Sequence, residues 1–463
     1  MSALWTSDEI VAATGGTLHG APFSVSGVTF DSREVEPGFL FVAMPGTVAD
    51  GHDFVAKAFA SGAGAALVSR PVDGPHVLVD DVPAALTALA IEARRRVSGT
   101  VLGVTGSVGK TSTKEALFAA LDRFAPGKVH RSVKSYNNHT GVPLSLARMP
   151  RDSEFAVLEM GMNHEGEIAA LTRLVRPHVA LITTIASAHI EHLGTMEAIA
   201  DAKGEIFQGL EPDGIAIIPE NTPYRDRLVK AAAAHADRTI TFGHGDADVA
   251  VIHAVRAENG GSLVTARLLD SDMTYTIAQR VDHWVTNSLA VLAAVEAVGA
   301  DLAIAGLALA DMGGLKGRGE RHHLAVDGGH YLLIDESYNA NPASMAATLK
   351  ALGAERDVKR RLAVLGPMRE LGETADAQHA ALAEPVREAG IDHLILVGAD
   401  MKPLENALGG DIIVDRAEGP DDAAELLARI VEPGDAVLVK ASNSIGLAKL
   451  VERMAGGLAT CSI

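Results

Sequence analysis

A short glycine-rich segment carries the strongest chemical signal in the sequence. Gly106-Ser-Val-Gly109-Lys110-Thr111 follows an apolar run and precedes a helix-forming segment. Backbone N–H groups of such a loop can point at phosphate oxygens, a lysine can neutralise their charge, and a threonine hydroxyl can bind Mg²⁺. The spacing is two residues shorter than the full Walker pattern, and the alternative is a chance glycine turn before a helix. We predict phosphate binding by the residues of this loop, namely Gly106, Ser107, Val108, Gly109, Lys110, Thr111 and Ser112.

Three further residues could contribute to a metal site. Glu159 ends an apolar run, so its carboxylate would emerge at the carboxyl edge of a parallel sheet, beside the phosphate loop. The alternative is a strand-end glutamate that faces solvent. His189 also ends an apolar run, but a lone histidine is more often packed or solvated. Lys203, taken alone, is typical of a solvated helix lysine paired with a neighbouring carboxylate.

Composition limits the class of protein. The 463 residues allow about three domains at roughly 150 residues each. The formal charge of −19, without any basic block, argues against nucleic acid or acidic membrane surfaces as partners. The single cysteine, Cys461, excludes an intramolecular disulfide and a thiolate metal cage. The N-terminal residues show no pattern of a signal or transit peptide. We also expect no membrane span, because the most apolar stretch, 289–310, predicts two packed helices. We expect a cytoplasmic protein.

The elements that position these residues indicate an α/β protein of three domains. Residues 1–98 predict a small α/β domain that opens with a Thr6-x-x-Glu9 capping box. Residues 99–313 predict a doubly wound parallel sheet that carries the phosphate loop, with a β insertion at 247–278 and a hairpin signal at residues 259–261. A glycine-rich hinge at 313–319 leads into residues 314–463, which predict a Rossmann-like α/β domain.

The phosphate loop and the segments around it resemble the Mur ligase family, whose members form amide bonds in cell-wall precursors at the expense of ATP. Asp31-Ser-Arg33, with Gly46 and Asp50-Gly-His-Asp-Phe54, is similar to the uridine-nucleotide-binding first domain of the branch that acts on UDP-linked muropeptides. Residues 135–143 resemble the family's substrate loop, and residues 335–345 resemble the branch that attaches D-alanyl-D-alanine. The resemblance covers essentially the whole chain. It implies substrate contacts at Ser32, Arg33, Gly46, Asp50, Asn137, Asn138, Tyr338, Asn339 and Asn341.

The resemblance also implies roles that the sequence alone leaves open. Asn287, otherwise a polar cap, and Arg318, otherwise a flexible surface side chain, would bind ATP together with Asp335. Two Mg²⁺ ions would be held by a set of four residues, namely Thr111, Glu159, His189 and Lys203. Lys203, which lies fourteen residues after His189 as in the family, would carry a CO₂-derived carbamate, which turns a cation into an anionic oxygen ligand.

Two segments depart from the family's pattern. Pro367 stands where an acidic residue is usual, so any role of that carboxylate is absent. Lys440-Ala-Ser-Asn replaces the usual Lys-Gly-Ser-Arg, which puts a substrate contact from the arginine in doubt. Lys440 and Ser442 remain candidates for substrate contact.

The reaction implied is the joining of D-alanyl-D-alanine to UDP-N-acetylmuramoyl-tripeptide through an acyl phosphate, with ATP converted to ADP. Its catalytic residues would be Lys110, Glu159, His189 and Lys203. We expect a monomer whose C-terminal domain closes on the central domain about the hinge at 313–319. The alternatives are the relative that adds the third, diamino residue and a P-loop nucleotide switch. A folate-polyglutamate ligase shares the central fold, but the Asp31-Ser-Arg33 segment argues against it. The third residue of the accepted tripeptide and the oligomeric state stay open.

Overall fold

The structure, a computed structural model, contains three main sheets flanked by helices. It describes residues 3–46, 49–187, 190–256, 261–279 and 282–456, the side chains of residues 282 and 283 excepted. The sheets have five, nine and six strands and follow one another along the chain. The predicted α/β class is confirmed, and the predicted boundaries after residues 98 and 313 fall between elements that belong to different sheets.

The first sheet is small and mixed, with the strand order β2-β7-β6-β5-β4. The predicted capping box is confirmed: the Thr6 hydroxyl accepts from the Glu9 amide, the Glu9 carboxylate accepts from the Thr6 amide, and the first helix ends at Gly15 with φ +69°. The elements of this region are β1 (Trp5–Thr6), α1 (Ser7–Thr14), β2 (Thr17–His19), β3 (Ser24–Val25), β4 (Gly27–Thr29), β5 (Phe39–Val42), α2 (Val55–Ala60), β6 (Ala65–Val68), β7 (His76–Leu78) and α3 (Val82–Arg96).

The central sheet has the order β16-β15-β14-β13-β12-β11-β8-β10-β9 and is parallel from β9 to β14. Its elements are β8 (Thr100–Thr105), α4 (Lys110–Phe124), β9 (Val129–Arg131), α5 (Gly141–Ala147), β10 (Phe155–Glu159), α6 (Glu167–Val175), β11 (Val179–Ile182), α7 (Ile190–Leu193), α8 (Met196–Gly204), β12 (Ile215–Pro219), α9 (Arg225–Ala232), β13 (Arg238–Gly243), β14 (Val249–Arg256), β15 (Ser262–Arg267), β16 (Asp272–Ile277), α10 (Asp282–Ala297) and α11 (Leu302–Asp311).

The strands predicted as a β insertion are present, but they extend the central sheet. β14 pairs in parallel with β13, and β15 and β16 then add in antiparallel order at that edge. The hairpin signal falls largely on residues outside the described part, although the pairing of Arg256 with Ser262 brackets it. The two helices predicted within 289–310 are confirmed as α10 and α11, which pack against the sheet and α4. Among the described helices, none combines the length and the apolar character that crossing a bilayer requires.

The third sheet has the order β17-β18-β22-β19-β20-β21 and is parallel except for its first pair. Its elements are β17 (Glu320–Val326), β18 (Gly329–Glu336), α12 (Pro342–Gly353), β19 (Arg361–Leu365), α13 (Ala375–Ala380), α14 (Ala383–Glu388), β20 (His393–Val397), α15 (Lys402–Leu408), β21 (Ile413–Ala417), α16 (Pro420–Ile430), β22 (Ala436–Lys440) and α17 (Ala448–Ala455). Apolar clusters cover both faces of this sheet and of the central one, which explains the unbroken apolar runs of their strands.

We expect one histidine of the central region, His130, to make the free energy of unfolding depend on pH. The His130 ring donates to the Ser145 carbonyl at 2.7 Å, and burial lowers the pKa of His130 to about 4. Because the folded pKa lies below the ordinary value of 6.5, this group's contribution is complete above pH 6.5 and is lost as the pH falls toward 4. We therefore expect the free energy of unfolding, measured by urea denaturation, to be about 2 kcal/mol lower at pH 5 than at pH 7. His130→Gln should flatten that dependence, and parallel curves would contradict the assignment.

Candidate active site

The phosphate loop has the predicted strand, loop and helix context. It joins the end of β8 to the start of α4, where Gly109 is the N-terminal cap with φ +87°. Gly106 has φ +147°, so both glycines adopt backbone conformations that other residues rarely reach. The Lys110 ammonium donates to the Gly106 carbonyl at 2.8 Å. The free N–H groups and positive dipole end of a fifteen-residue helix therefore face the loop, together with one lysine.

Asn287 lies against this loop and is not a helix cap. It sits inside α10 and is 5% exposed. A Cβ atom added to Gly109 would lie 3.2 Å from both the Nδ2 and the Oδ1 of Asn287. The predicted ATP-side position of Asn287 is therefore next to the phosphate loop.

Gly109→Ala is expected to weaken ADP binding at least about tenfold. The positive φ strains an L-residue by about 1–2 kcal/mol, and the new methyl group would press on Asn287. Isothermal titration with ADP measures the effect. Gly245→Ala is a matched control, because Gly245 has φ +73° but no atom within 4 Å of the added Cβ. Equal ADP affinity in the two variants would show that this glycine does not shape the site.

Beside the loop, where β10 ends, Glu159 is hydrogen-bonded to Thr111 and Asn137, and we call this group of three residues the carboxylate corner. The Glu159 side chain is 1% exposed; its Oε2 accepts from the Thr111 hydroxyl and its Oε1 from the Asn137 amide, both at 2.8 Å. The Thr111 hydroxyl also lies 3.1 Å from the hydroxyl of Ser135. The Glu159 amide donates to the Ser132 hydroxyl at 2.9 Å. The structure thus unites three predicted site residues. It adds Ser135, the first residue of the segment that resembles the substrate loop, and Ser132, for which the sequence contains no signal.

Lys203 is not the solvated helix lysine that its local sequence suggests. It is 1% exposed on α8, and within the described part of the chain no hydrogen bond or ion pair reaches its ammonium group. Burial holds the pKa of Lys203 well below its usual value, and the charge of Lys110 lowers it further. Burial therefore favours the uncharged form of this amine more than it would for an exposed lysine. His189 falls outside the described residues, so its role stays a prediction.

A cavity of about 280 Å³ separates the phosphate loop from the start of α12. Residues from both the central and the C-terminal regions line it, so a nucleotide there would contact both. The lining residues are Ser107, Val108, Gly109, Lys110, Thr111, Ser112, Thr184, Ala186, Trp284, Asn287, Gly317, Arg318, Glu336, Asn339, Ala340, Asn341, Ala343, Ser344, Ala347, Thr348 and Lys440.

Arg318 and Asp335 have different surroundings. The Arg318 guanidinium lies 4.1 Å from the centre of the Tyr338 ring, on the wall of the cavity. Asp335 is 1% exposed, and its carboxylate accepts from the amides of Gly317 at 2.8 Å and Ser337 at 3.0 Å. Asp335 therefore holds the segment that presents Arg318 and is not among the lining residues, so its contact with nucleotide stays a prediction.

Glu336, which the sequence analysis missed, faces the cavity instead and pairs there with Lys440, one of the candidates for substrate contact. Glu336 and Lys440 lie 3.5 Å apart, and the Lys440 ammonium donates to the Asn339 carbonyl at 2.9 Å. Burial raises the pKa of Glu336 and lowers that of Lys440. Strand alternation was the available signal: neighbouring residues of β18 point to opposite faces, so only one of Asp335 and Glu336 can face the cavity.

Several predicted substrate residues serve local structure. Asn341 caps α12 in a capping box with Ser344, and Asn138 accepts from the Gly141 amide at 2.9 Å at the start of α5. Asn339 accepts from its neighbour's amide. Asn339 and Asn341 nevertheless line the cavity. Their contacts with substrate stay predictions.

The N-terminal candidates lie in loops that follow the parallel strands β4 and β5, at one sheet edge. Arg33, 80% exposed, pairs with Asp31 at 2.6 Å, and this hydrogen bond lowers the pKa of Asp31 to about 2. Ser32 is half-buried between them.

A second loop at this edge contains Gly46 and Asp50. Asp50 accepts from the amide and the ring of His52 and pairs with Arg70 at 3.0 Å, so the pKa of Asp50 falls to about 2. Gly46 has no room for a side chain, since an added Cβ would lie 2.5 Å from the Ala49 carbonyl oxygen.

The α/β fold with its phosphate loop is that of a class of ATP-dependent ligases, and the chain belongs to the Mur ligase family. The model of the Mur ligase middle domain matches residues 104–295, that of the Mur ligase glutamate ligase domain residues 317–443, and that of the Mur ligase family catalytic domain residues 24–96.

Similar proteins carry a more specific name. The UDP-N-acetylmuramoyl-tripeptide–D-alanyl-D-alanine ligase of Escherichia coli strain K12 is 35% identical over 97% of this chain and 98% of its own length. A crystal structure of MurF from Acinetobacter baumannii matches with a TM-score of 0.83 and 29% identity, covering 98% of this chain and 99% of the other. MurF ligase from Thermotoga maritima in complex with ADP matches with a TM-score of 0.77 and 30% identity, covering 94% and 98%.

Proposed function

We propose that this chain joins D-alanyl-D-alanine to UDP-N-acetylmuramoyl-tripeptide and converts ATP to ADP and phosphate. The observation that carries the proposal is the cavity in which the phosphate loop faces the segment 335–345 of the C-terminal region. Similarity over nearly the whole chain to ligases named for this reaction, and to one solved with ADP, supports it.

In the first step, an oxygen of the tripeptide's terminal carboxylate attacks the γ-phosphorus of ATP, and the bond to the ADP oxygen breaks. The chain's own contribution is positioning and charge neutralisation. Lys110 and the helix α4 N-terminus face the phosphates, and Arg318 adds a cation from the opposite wall. The product is an acyl phosphate, which activates a carboxyl carbon that would otherwise have a poor leaving group.

The carboxylate corner fits magnesium. Thr111 and Glu159 offer hard oxygen ligands, and a carbamate on Lys203 would add another. When bound, Mg²⁺ would neutralise charge that develops on the transferred phosphoryl group. Thr111 and Glu159 are held in place by their mutual hydrogen bond and by Asn137. Two ions, with His189 as a further ligand, stay part of the proposal.

The family resemblance implies a carbamate on Lys203, and the burial of its amine supports that proposal. The neutral amine nitrogen bonds to the carbon of CO₂ and releases one proton, which leaves an anionic carboxylate at the end of the side chain. An unmodified ammonium in the same place would repel both Lys110 and a metal ion. The modification converts an uncompensated buried amine into a ligand.

In the second step, the amine of D-alanyl-D-alanine attacks the acyl carbon, phosphate leaves, and the amine loses a proton. The segment around Asn339 and the Glu336–Lys440 pair form the C-terminal wall that faces this chemistry. We propose that the C-terminal region closes about residues 313–319 and excludes water, because water would hydrolyse the acyl phosphate. A monomeric state and a cytoplasmic location stay predictions.

Phosphate release by the purified protein with ATP and Mg²⁺ tests the proposal. UDP-N-acetylmuramoyl-tripeptide and D-alanyl-D-alanine are added separately and then together. Release only with both, and a UDP-pentapeptide by mass, is the expected result. Release that ignores the dipeptide but responds to a diamino acid would identify the neighbouring ligase, and release indifferent to every acceptor would identify a nucleotide switch.

A further inference from the structure

A second lysine of α4 is fully buried and has no part in the mechanism above. Lys114 lies four residues, about one helical turn, after Lys110 and is 0% exposed. Its ammonium group donates to the carbonyl of Ser132 at 3.1 Å and to that of Lys134 at 2.5 Å. The carboxylate of Glu115 lies 3.0 Å away, and Glu159 Oε2 lies 3.9 Å away. A buried cation therefore joins a loop backbone to the carboxylate corner.

The loop that Lys114 holds, residues 132–137, supplies three contacts of the carboxylate corner. Ser132 accepts from the Glu159 amide, Ser135 lies 3.1 Å from the Thr111 hydroxyl, and Asn137 donates to Glu159. Lys134, in the middle of the loop, has φ +50°, which is uncommon for a residue other than glycine. A fixed donor to the Lys134 carbonyl helps to keep the loop in this conformation.

The same loop is also held from the N-terminal region. The Glu34 carboxylate pairs with the ammonium group of Lys134, accepts from the Tyr136 hydroxyl at 3.2 Å and lies 3.6 Å from Arg148. Glu34 directly follows Arg33, a predicted substrate contact. The loop thus has one anchor near the uridine-nucleotide side and one, Lys114, on the helix that binds the phosphates.

We infer that Lys114 is a positioning residue that keeps loop 132–137 in register with the phosphate loop, so that Thr111 and Glu159 present their oxygens to Mg²⁺ together. The inference rests on the proposed function only in taking this corner as the magnesium–nucleotide site. Lys114 is fully buried and is not among the residues that line the cavity. It acts through the two carbonyls and through its charge beside Glu159.

Lys114→Met tests the inference without turnover, because methionine fills similar space but cannot donate. Hydrogen exchange followed by mass spectrometry should show at least about tenfold faster exchange in peptides that cover residues 132–141. Titration with ADP at several Mg²⁺ concentrations should show a half-saturating Mg²⁺ concentration raised about tenfold. ADP affinity without Mg²⁺ should change less than about twofold, since the phosphate loop itself is intact.

Arg94→Met is the matched control. Arg94 is another buried cation that donates to backbone carbonyls, those of Val175 and Arg176, but it does not contact loop 132–137. We expect it to lower the melting temperature without moving the Mg²⁺ titration. This separates general loss of packing from loss of the loop's register.

Unchanged exchange in residues 132–141 together with an unchanged Mg²⁺ titration would overturn the inference, as would equal loss of Mg²⁺-free ADP binding. If Lys114→Met does not fold, Lys114→Gln, which keeps two donors but no charge, replaces it in the same two measurements. The half-saturating Mg²⁺ concentration should still rise, and hydrogen exchange in residues 132–141 should stay close to that of the unsubstituted protein. Failure of the proposed function would appear differently, as absence of the UDP-pentapeptide product with the unsubstituted protein.

Discussion

Lys203→Ala is expected to lower the rate of ligation about 10²–10³-fold, the range seen when one preorganised electrostatic contact is removed from an active site. The reason is the proposed carbamate: the amine is buried beside Lys110, and its loss would remove the anionic ligand that the proposal places there. Steady-state assays of ADP formation with both acceptors present measure the loss.

Rescue distinguishes the carbamate from a packing role for Lys203. Acetate or propionate should restore part of the activity of Lys203→Ala, because a short carboxylate can occupy the vacated space and supply the same oxygens. Lys230→Ala, which changes an exposed lysine on the neighbouring helix α9, should leave activity unchanged with or without carboxylate. Undiminished activity in Lys203→Ala would exclude the carbamate.

Lys110→Met is expected to lower kcat/KM about 10³-fold, equivalent to about 4 kcal/mol of transition-state stabilisation. The Lys110 ammonium group lies at the α4 N-terminus and lines the cavity, where in the proposed mechanism it would neutralise charge that grows on the transferred phosphoryl oxygens. Burial lowers the pKa of Lys110, and the nearby Glu159 partly offsets that effect.

A surface lysine provides the comparison for Lys110. Lys128→Met breaks an exposed pair with Asp152 and should change kcat/KM less than about twofold. ADP affinity should fall less than kcat/KM in Lys110→Met, since the contact strengthens as charge moves in the transition state. A loss below about tenfold in kcat/KM would mean that Arg318 and the metal site carry the neutralisation.

The strands and helices around the phosphate loop could be predicted because their local signals agree with their tertiary surroundings. β10 begins and ends where the apolar run does, and the capping box of α1 has both of its hydrogen bonds. The strands taken as an insertion were also found, but alternation along a strand does not say which edge it joins. Only the pairing of β14 with β13 placed them at the end of the central sheet.

Residue types and spacing by themselves determined the phosphate loop, the order of the α/β elements and the presence of Glu159 at a strand end, because these depend on neighbours along the chain. Tertiary structure alone decided what surrounds each polar side chain. Lys203 is buried, and the Asp335 carboxylate binds the amide of Gly317 while Glu336 lines the cavity. Lys114 lies between loop 132–137 and the Glu159 carboxylate. The physical reason is that charge and hydration at a site depend on groups from distant parts of the chain, and the local sequence does not show which of those groups will be neighbours.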